Sequence, residues 1–138
     1  LYYLNKACYK GKIVVINYSA RNIDDHLLFG KMIQNAIEKL DKKVGFIASA
    51  DLSHRLTPNA PAGYDPQGQV FDELVVKSIE NGNYDAIINM DQNIRVNAGE
   101  CGFNSLMVAF GVIDSKPRSN EIISYEGPFG VGYAVAVL

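Results

Sequence analysis

The chain is poor in the residues that most chemistry needs, with two cysteines and two histidines among 138 residues. The cysteines, Cys8 and Cys101, cannot build the disulfide framework of a small secreted domain. Neither His-x-x-His nor Cys-x-x-Cys spacing occurs, which argues against a self-contained zinc site. There is no basic stripe. Lys and Arg number 13 against 15 Asp and Glu, for a net charge of -2, so nucleic acid and anionic membrane are not expected partners. No apolar run approaches the roughly 20 residues that cross a bilayer. The opening Leu1-Tyr2-Tyr3-Leu4-Asn5-Lys6 lacks the cationic-then-apolar order of a signal peptide. A cytoplasmic protein is expected.

What is present is ordinary globular usage, 48% apolar and 20% charged, in a length that suits one domain over residues 1–138. The chain starts with Leu rather than Met, and its first residues are apolar and aromatic, whereas natural termini are usually polar and frayed. A processed product or a fragment is the expectation.

Lys12 to Tyr18, centred on Ile13-Val14-Val15-Ile16, reads as a buried strand, β-branched and without alternation. Asn22 to Asp25 offers capping oxygens and first-turn acids. Leu27, Leu28, Met32, Ile33, Ala36, Ile37 and Leu40 then recur at helical spacing to about Asp41. A second buried strand follows over residues 44–50, so the chain opens as a βαβ crossover. The expected fold is α/β, a mostly parallel central sheet covered by helices, with a β-rich carboxyl-terminal tail. Residues 51–66, with Pro58, Pro61, Gly63 and Pro66, form a long loop of the kind that is often functional. Asp65-Pro66 opens a helix whose stripe is Val70, Phe71, Leu74, Val75 and Ile79, ending near Asn81-Gly82. Tyr84 to Met90 suggests a short helix, and Asp91 to Gly99 reads as irregular. Phe103, Leu106, Met107 and Phe110 face inward from a helix that ends around Asp114. Two β-like runs, Glu121 to Tyr125 and Val131 to Leu138, flank the turn Gly127-Pro128-Phe129-Gly130.

The most informative stretch is Ser49-Ala50-Asp51-Leu52-Ser53-His54-Arg55-Leu56. It lies just past the carboxyl end of the second strand, where open α/β sheets place their ligand crevices. His54 carries the side chain type that titrates near neutrality unaided, and Asp51 stands close by in sequence. A carboxylate beside an imidazole fixes its tautomer; capping the turn is an equally good reading of Asp51. His26 falls in the first helical turn and reads as exposed. Glu100-Cys101 precedes a helix start, and there the residues alone favour a plain role. Glu100 would complement the dipole and Cys101 would pack as a small apolar group. The other reading turns the carboxylate or the thiolate toward the crevice as a metal ligand. The glycine-rich Tyr125 to Tyr133 has no Gly-x-Gly-x-x-Gly before a helix, so its glycines serve tight bends or close backbone approach.

Taken together, Ser49 to His54, Glu100-Cys101-Gly102 before a helix, and Tyr125-Glu126-Gly127-Pro128-Phe129-Gly130-Val131-Gly132-Tyr133 resemble the class III extradiol ring-cleaving dioxygenases of the LigB type. Within that superfamily they are similar to the Memo-related branch. The resemblance runs from about Ile13 to Leu138. It implies a non-haem Fe(II) enzyme that opens catechol-like rings with O2, its iron held by two histidines and a glutamate. It casts His54 as the acid–base histidine with Asp51 beside it. It offers either Glu100 or Cys101 as the metal-facing residue, the cysteine being the Memo-like pattern, and that choice stays open here. The family's two metal-binding histidines belong to an amino-terminal half that has no counterpart in this chain, and His26 lies in the wrong segment to replace either. The resemblance therefore implies the carboxyl-terminal half of such a domain, unable to hold Fe(II) or turn over alone. It also implies a small aromatic substrate with O2, and self-association or pairing with the missing half. A Memo-like metal-binding or redox protein without ring cleavage is the alternative. Tyr64, in the long loop, is a candidate to close over the site.

Overall fold

The computed structural model describes residues 2–114 and 116–138, so Leu1 of the apolar opening lies outside the described residues. A short helix α1 (Tyr2–Lys6) precedes α2 (Ile23–Glu38), α3 (Pro66–Glu80), α4 (Tyr84–Ile88), α5 (Gln92–Ala98) and α6 (Phe103–Val112). Strands β1 (Glu121–Glu126) and β2 (Tyr133–Val137) close the chain.

Local chemistry accounts for the helix starts. Asn22 accepts from the Asp25 amide at the head of α2, and Asp65 accepts from the Gln67 amide ahead of Pro66 in α3. The chain leaves α3 through Asn81 and Gly82, as the sequence suggests. Helix α5 is a correction to the irregular reading of 91–99. Asp91 caps it through the Asn93 amide and left-handed Gly99 ends it. Only Ile94 and Ala98 turn inward from α5, too few apolar residues to announce a helix.

The core is helical. Phe71, Val75 and Ile79 of α3 meet Tyr84 and Ile87 of α4 and Phe103, Met107 and Phe110 of α6, all buried in one cluster with Leu52 and Ala98. The Tyr84 and Phe110 rings lie 4.7 Å apart between centroids, within the favourable range for aromatic pairs. Helices α2 and α6 cross backbone to backbone at Gly30 and Gly111. A Cβ on Gly30 would fall on the Val108 carbonyl, and one on Gly111 on the Leu27 carbonyl, so neither position admits even alanine without moving a helix.

The expected parallel sheet is not present among the described residues. The single ladder there is antiparallel, β1 with β2, running from Glu121 against Val137 to Glu126 against Tyr133 with an irregularity between Ile122 and Ser124. Residues 12–18 and 44–50 carry no ladder, and the βαβ opening is absent with them. Their β-branched composition supplies strand preference, but a strand also needs a hydrogen-bonded neighbour. Their side chains stand in solvent instead, Val14 at 83% and Ile47 at 66% of full exposure. Val70 likewise leaves the predicted stripe of α3 for the surface, and Asp72 takes a place inside.

Candidate metal and proton-transfer site

Residues 52–56 run beside the turn that joins β1 to β2. The Leu52 amide donates to Gly132 O at 2.8 Å, the Gly132 amide returns a bond to Ser53 O at 2.8 Å, and the Leu56 amide donates to Gly130 O at 3.0 Å. On the other side the His54 amide donates to Ala98 O, at the end of α5, over 3.0 Å. His54 is therefore clamped through its backbone from two directions while its side chain remains 27% exposed.

Helix α6 brings the next group. Gly102 lets its amino end close on the loop, since a Cβ there would strike the Asp51 carbonyl 2.5 Å away. Cys101 Sγ consequently lies 3.8 Å from His54 Nε2 and 3.7 Å from Asp51 O. Asp51 Oδ2 stands 3.5 Å from the same Nε2. Ligand atoms of Asp51, His54 and Cys101 all fall within 4.8 Å of one another. The convergence on one ring nitrogen matters. A cysteine–histidine–aspartate relay would need the carboxylate on Nδ1 and the thiol on Nε2. Here both gather at Nε2, the arrangement of donors around a shared ion or a shared proton.

Glu100 is placed elsewhere. Its Oε2 accepts from the Phe103 amide at 2.7 Å, supplying the cap that Gly102 cannot, and its Oε1 faces Arg95 at 3.4 Å. Arg95 in turn stacks over the Phe103 ring, 3.4 Å from its centroid. With its side chain only 9% exposed, Glu100 is committed to the helix end. Adjacent residues thus point opposite ways, the sulfur toward His54 and the carboxylate toward α6.

His26 corrects the sequence reading. It is buried at 4% exposure, with Nδ1 2.7 Å from Asn22 O and Nε2 3.1 Å from Ser19 O. It sits one turn before Gly30 and so shares the face that meets α6, a signal the sequence did contain. Both its nitrogens are engaged with the chain itself. Tyr64 is 60% exposed.

Asp72 was missed altogether. It is wholly buried at 0% exposure, accepting from the Ser53 amide at 2.8 Å and from the Tyr125 hydroxyl at 2.8 Å. Its spacing to Val75 and Ile79 marks a core position, and a carboxylate in such a stripe is the signal that could have revealed it. Burial raises its carboxyl above the ordinary 3.8, with the bonds from Ser53 and Tyr125 acting against the shift. Burial and Asp72 also hold the Tyr125 hydroxyl above its ordinary range, so Tyr125 stays a donor.

Between 3.8 and that raised value, the native state thus holds this proton more firmly than the unfolded chain does. Stability from this group is present at low pH and lost as pH rises from 3.8 through the raised native value. The urea midpoint of the wild type, taken relative to Asp72→Asn, is expected to fall across that interval. A constant offset between the two would contradict it.

Among the described residues, no helix is long and apolar enough to cross a membrane. Protein CA_C1420 of Clostridium acetobutylicum is 42% identical over 138 residues, covering the whole of this chain but 30% of that relative's length. A family model described as the catalytic LigB subunit of aromatic ring-opening dioxygenase matches residues 1–136. With residues 1–136 inside that match, the chain belongs to the family of the catalytic LigB subunit of aromatic ring-opening dioxygenase.

Proposed function

We propose that the protein is a metal-dependent oxygenase of the extradiol type, acting in the cytoplasm on a small catechol-like ring with O2. The observation that carries this reading is the gathering of Cys101 Sγ and Asp51 Oδ2 around His54 Nε2 in a solvent-accessible site. A thiolate sulfur with an oxygen donor beside it suits a first-row transition ion better than calcium or magnesium. Cys101 would hold the ion with Asp51 beside it, while Glu100 keeps its place at the end of α6. Bound Fe(II) would supply Lewis acidity toward a substrate hydroxyl and a position for O2. The chain's own task is to move a proton. His54 takes one from the substrate's second hydroxyl at Nε2 and later returns it, and the Asp51 carboxylate stabilises the proton while it resides there. The test is oxygen uptake by the intact Fe(II)-loaded protein across a series of catechols. Uptake matched by ring-opened product supports the reading, and none from iron-loaded protein contradicts it.

A second reading, a Memo-like metal-binding or redox protein without ring cleavage, is favoured by one feature. A sulfur rather than a carboxylate faces His54, and thiolate ligands favour softer ions such as Cu(I). Copper bound through Cys101 in the intact protein, with no oxygen uptake, would decide for it.

We also propose that residues 12–18 and 44–50 become neighbouring strands of a mostly parallel sheet once a partner covers them. That partner would be a second copy or the remainder of a longer chain. The bare runs at Ile13 to Ile16 and Val44 to Ile47 support this, because exposed apolar strand-formers seldom stay unpaired. Light scattering of this polypeptide alone is expected to show association. A clean monomer at high concentration would contradict it.

A further inference from the structure

Between α3 and the His54 loop lies a buried polar cluster that the proton chemistry does not itself use. Asp72 Oδ1 takes the Ser53 amide, the backbone group immediately before His54, and Asp72 Oδ2 takes the Tyr125 hydroxyl of β1. Gly132, whose backbone exchanges two bonds with Leu52 and Ser53, presses against the same carboxylate so closely that a Cβ there would fall on Asp72 Oδ2. One side chain therefore ties the three segments that determine where the imidazole stands. A buried carboxylate is costly as scaffolding alone, since an apolar residue of similar volume would fill the stripe of α3.

We propose that Asp72 is a positioning residue, fixing the His54 ring beside Cys101 by holding the Ser53 backbone against β1 and the Gly132 turn. Asp72 touches neither substrate nor metal in this account, and the assignment rests on the reading of His54 as proton carrier. Supporting groups of this type are worth about 10- to 100-fold when removed. Asn at this position keeps an acceptor for the Ser53 amide and can donate to the Tyr125 oxygen, whereas Ala does neither.

The test uses the intact protein with four variants. Asp72→Ala is expected to lower kcat about 10- to 100-fold with KM unchanged, and to accelerate amide exchange at Leu52, His54 and Leu56. Asp72→Asn is expected to restore both to near wild type. Gly132→Ala, which displaces the carboxylate, is expected to behave like Asp72→Ala. Val75→Ala, a buried neighbour on α3, serves as control, lowering the melting temperature without selective exchange at those amides. Exchange at the three amides no faster in Asp72→Ala than in Val75→Ala would overturn the proposal. So would a kcat that Asp72→Asn fails to rescue. Should the wild type consume no oxygen, the functional reading falls while the exchange arm still judges Asp72 on its own.

Discussion

His54→Ala is expected to lower oxygen uptake by the intact protein about 10²- to 10⁴-fold, with its metal content unchanged. The reasoning is geometric. The ring is held by its own backbone, through the bond to Ala98 O and the neighbouring bonds to Gly130 and Gly132, rather than by packing of the imidazole. Removing the side chain therefore leaves the loop in place and deletes only the proton carrier. Turnover equal to wild type would remove His54 from the chemistry. Loss of the metal together with the ring would make the imidazole a ligand instead of a carrier.

Cys101→Ala is expected to weaken metal binding at least about 100-fold, since loss of a mere supporting partner already costs about 10- to 100-fold. The sulfur is the one strong donor that helix α6 turns toward the loop, and only Gly102 lets it come within 3.8 Å of the ring. Equilibrium dialysis against a metal buffer would measure the change. An affinity equal to wild type would remove Cys101 from the ligand set.

Much of the helical framework was legible in the sequence, because its signals are local. Asn22, Asp65-Pro66 and the stripe of Phe103, Met107 and Phe110 each mark an element through caps or spacing that need no distant partner. The expected strands at 12–18 and 44–50 carry no ladder among the described residues for the opposite reason. Ile13 to Ile16 have the composition of a strand, but composition cannot provide the neighbouring backbone that makes one. Helix α5 escaped because a seven-residue helix with a polar surface shows almost no period.

The site was legible in part. The stretch from Asp51 to His54 stood out as charge and imidazole beyond an apolar run, and Cys101 lay next to a helix start. Which of Glu100 and Cys101 faces the ring could not follow from sequence. Neighbours in a turn diverge, and the orientation is decided by the Phe103 amide, which takes the carboxylate. Asp72 is distant in sequence from His54 and reaches it only through the Ser53 backbone. The place of His26 one turn before Gly30 was a signal, but the close crossing at Gly30 and Gly111 that buries it joins helices far apart along the chain.

The central claim is that a metal belongs beside the sulfur of Cys101 and not beside the carboxylate of Glu100. Loading the intact protein with cobalt(II) tests it most directly, because a cobalt–thiolate bond absorbs in the near ultraviolet and a cobalt–carboxylate bond does not. The account predicts that band in wild type and in Glu100→Gln, and its loss in Cys101→Ala. Cobalt bound without the band, or bound only while Glu100 is intact, would contradict it.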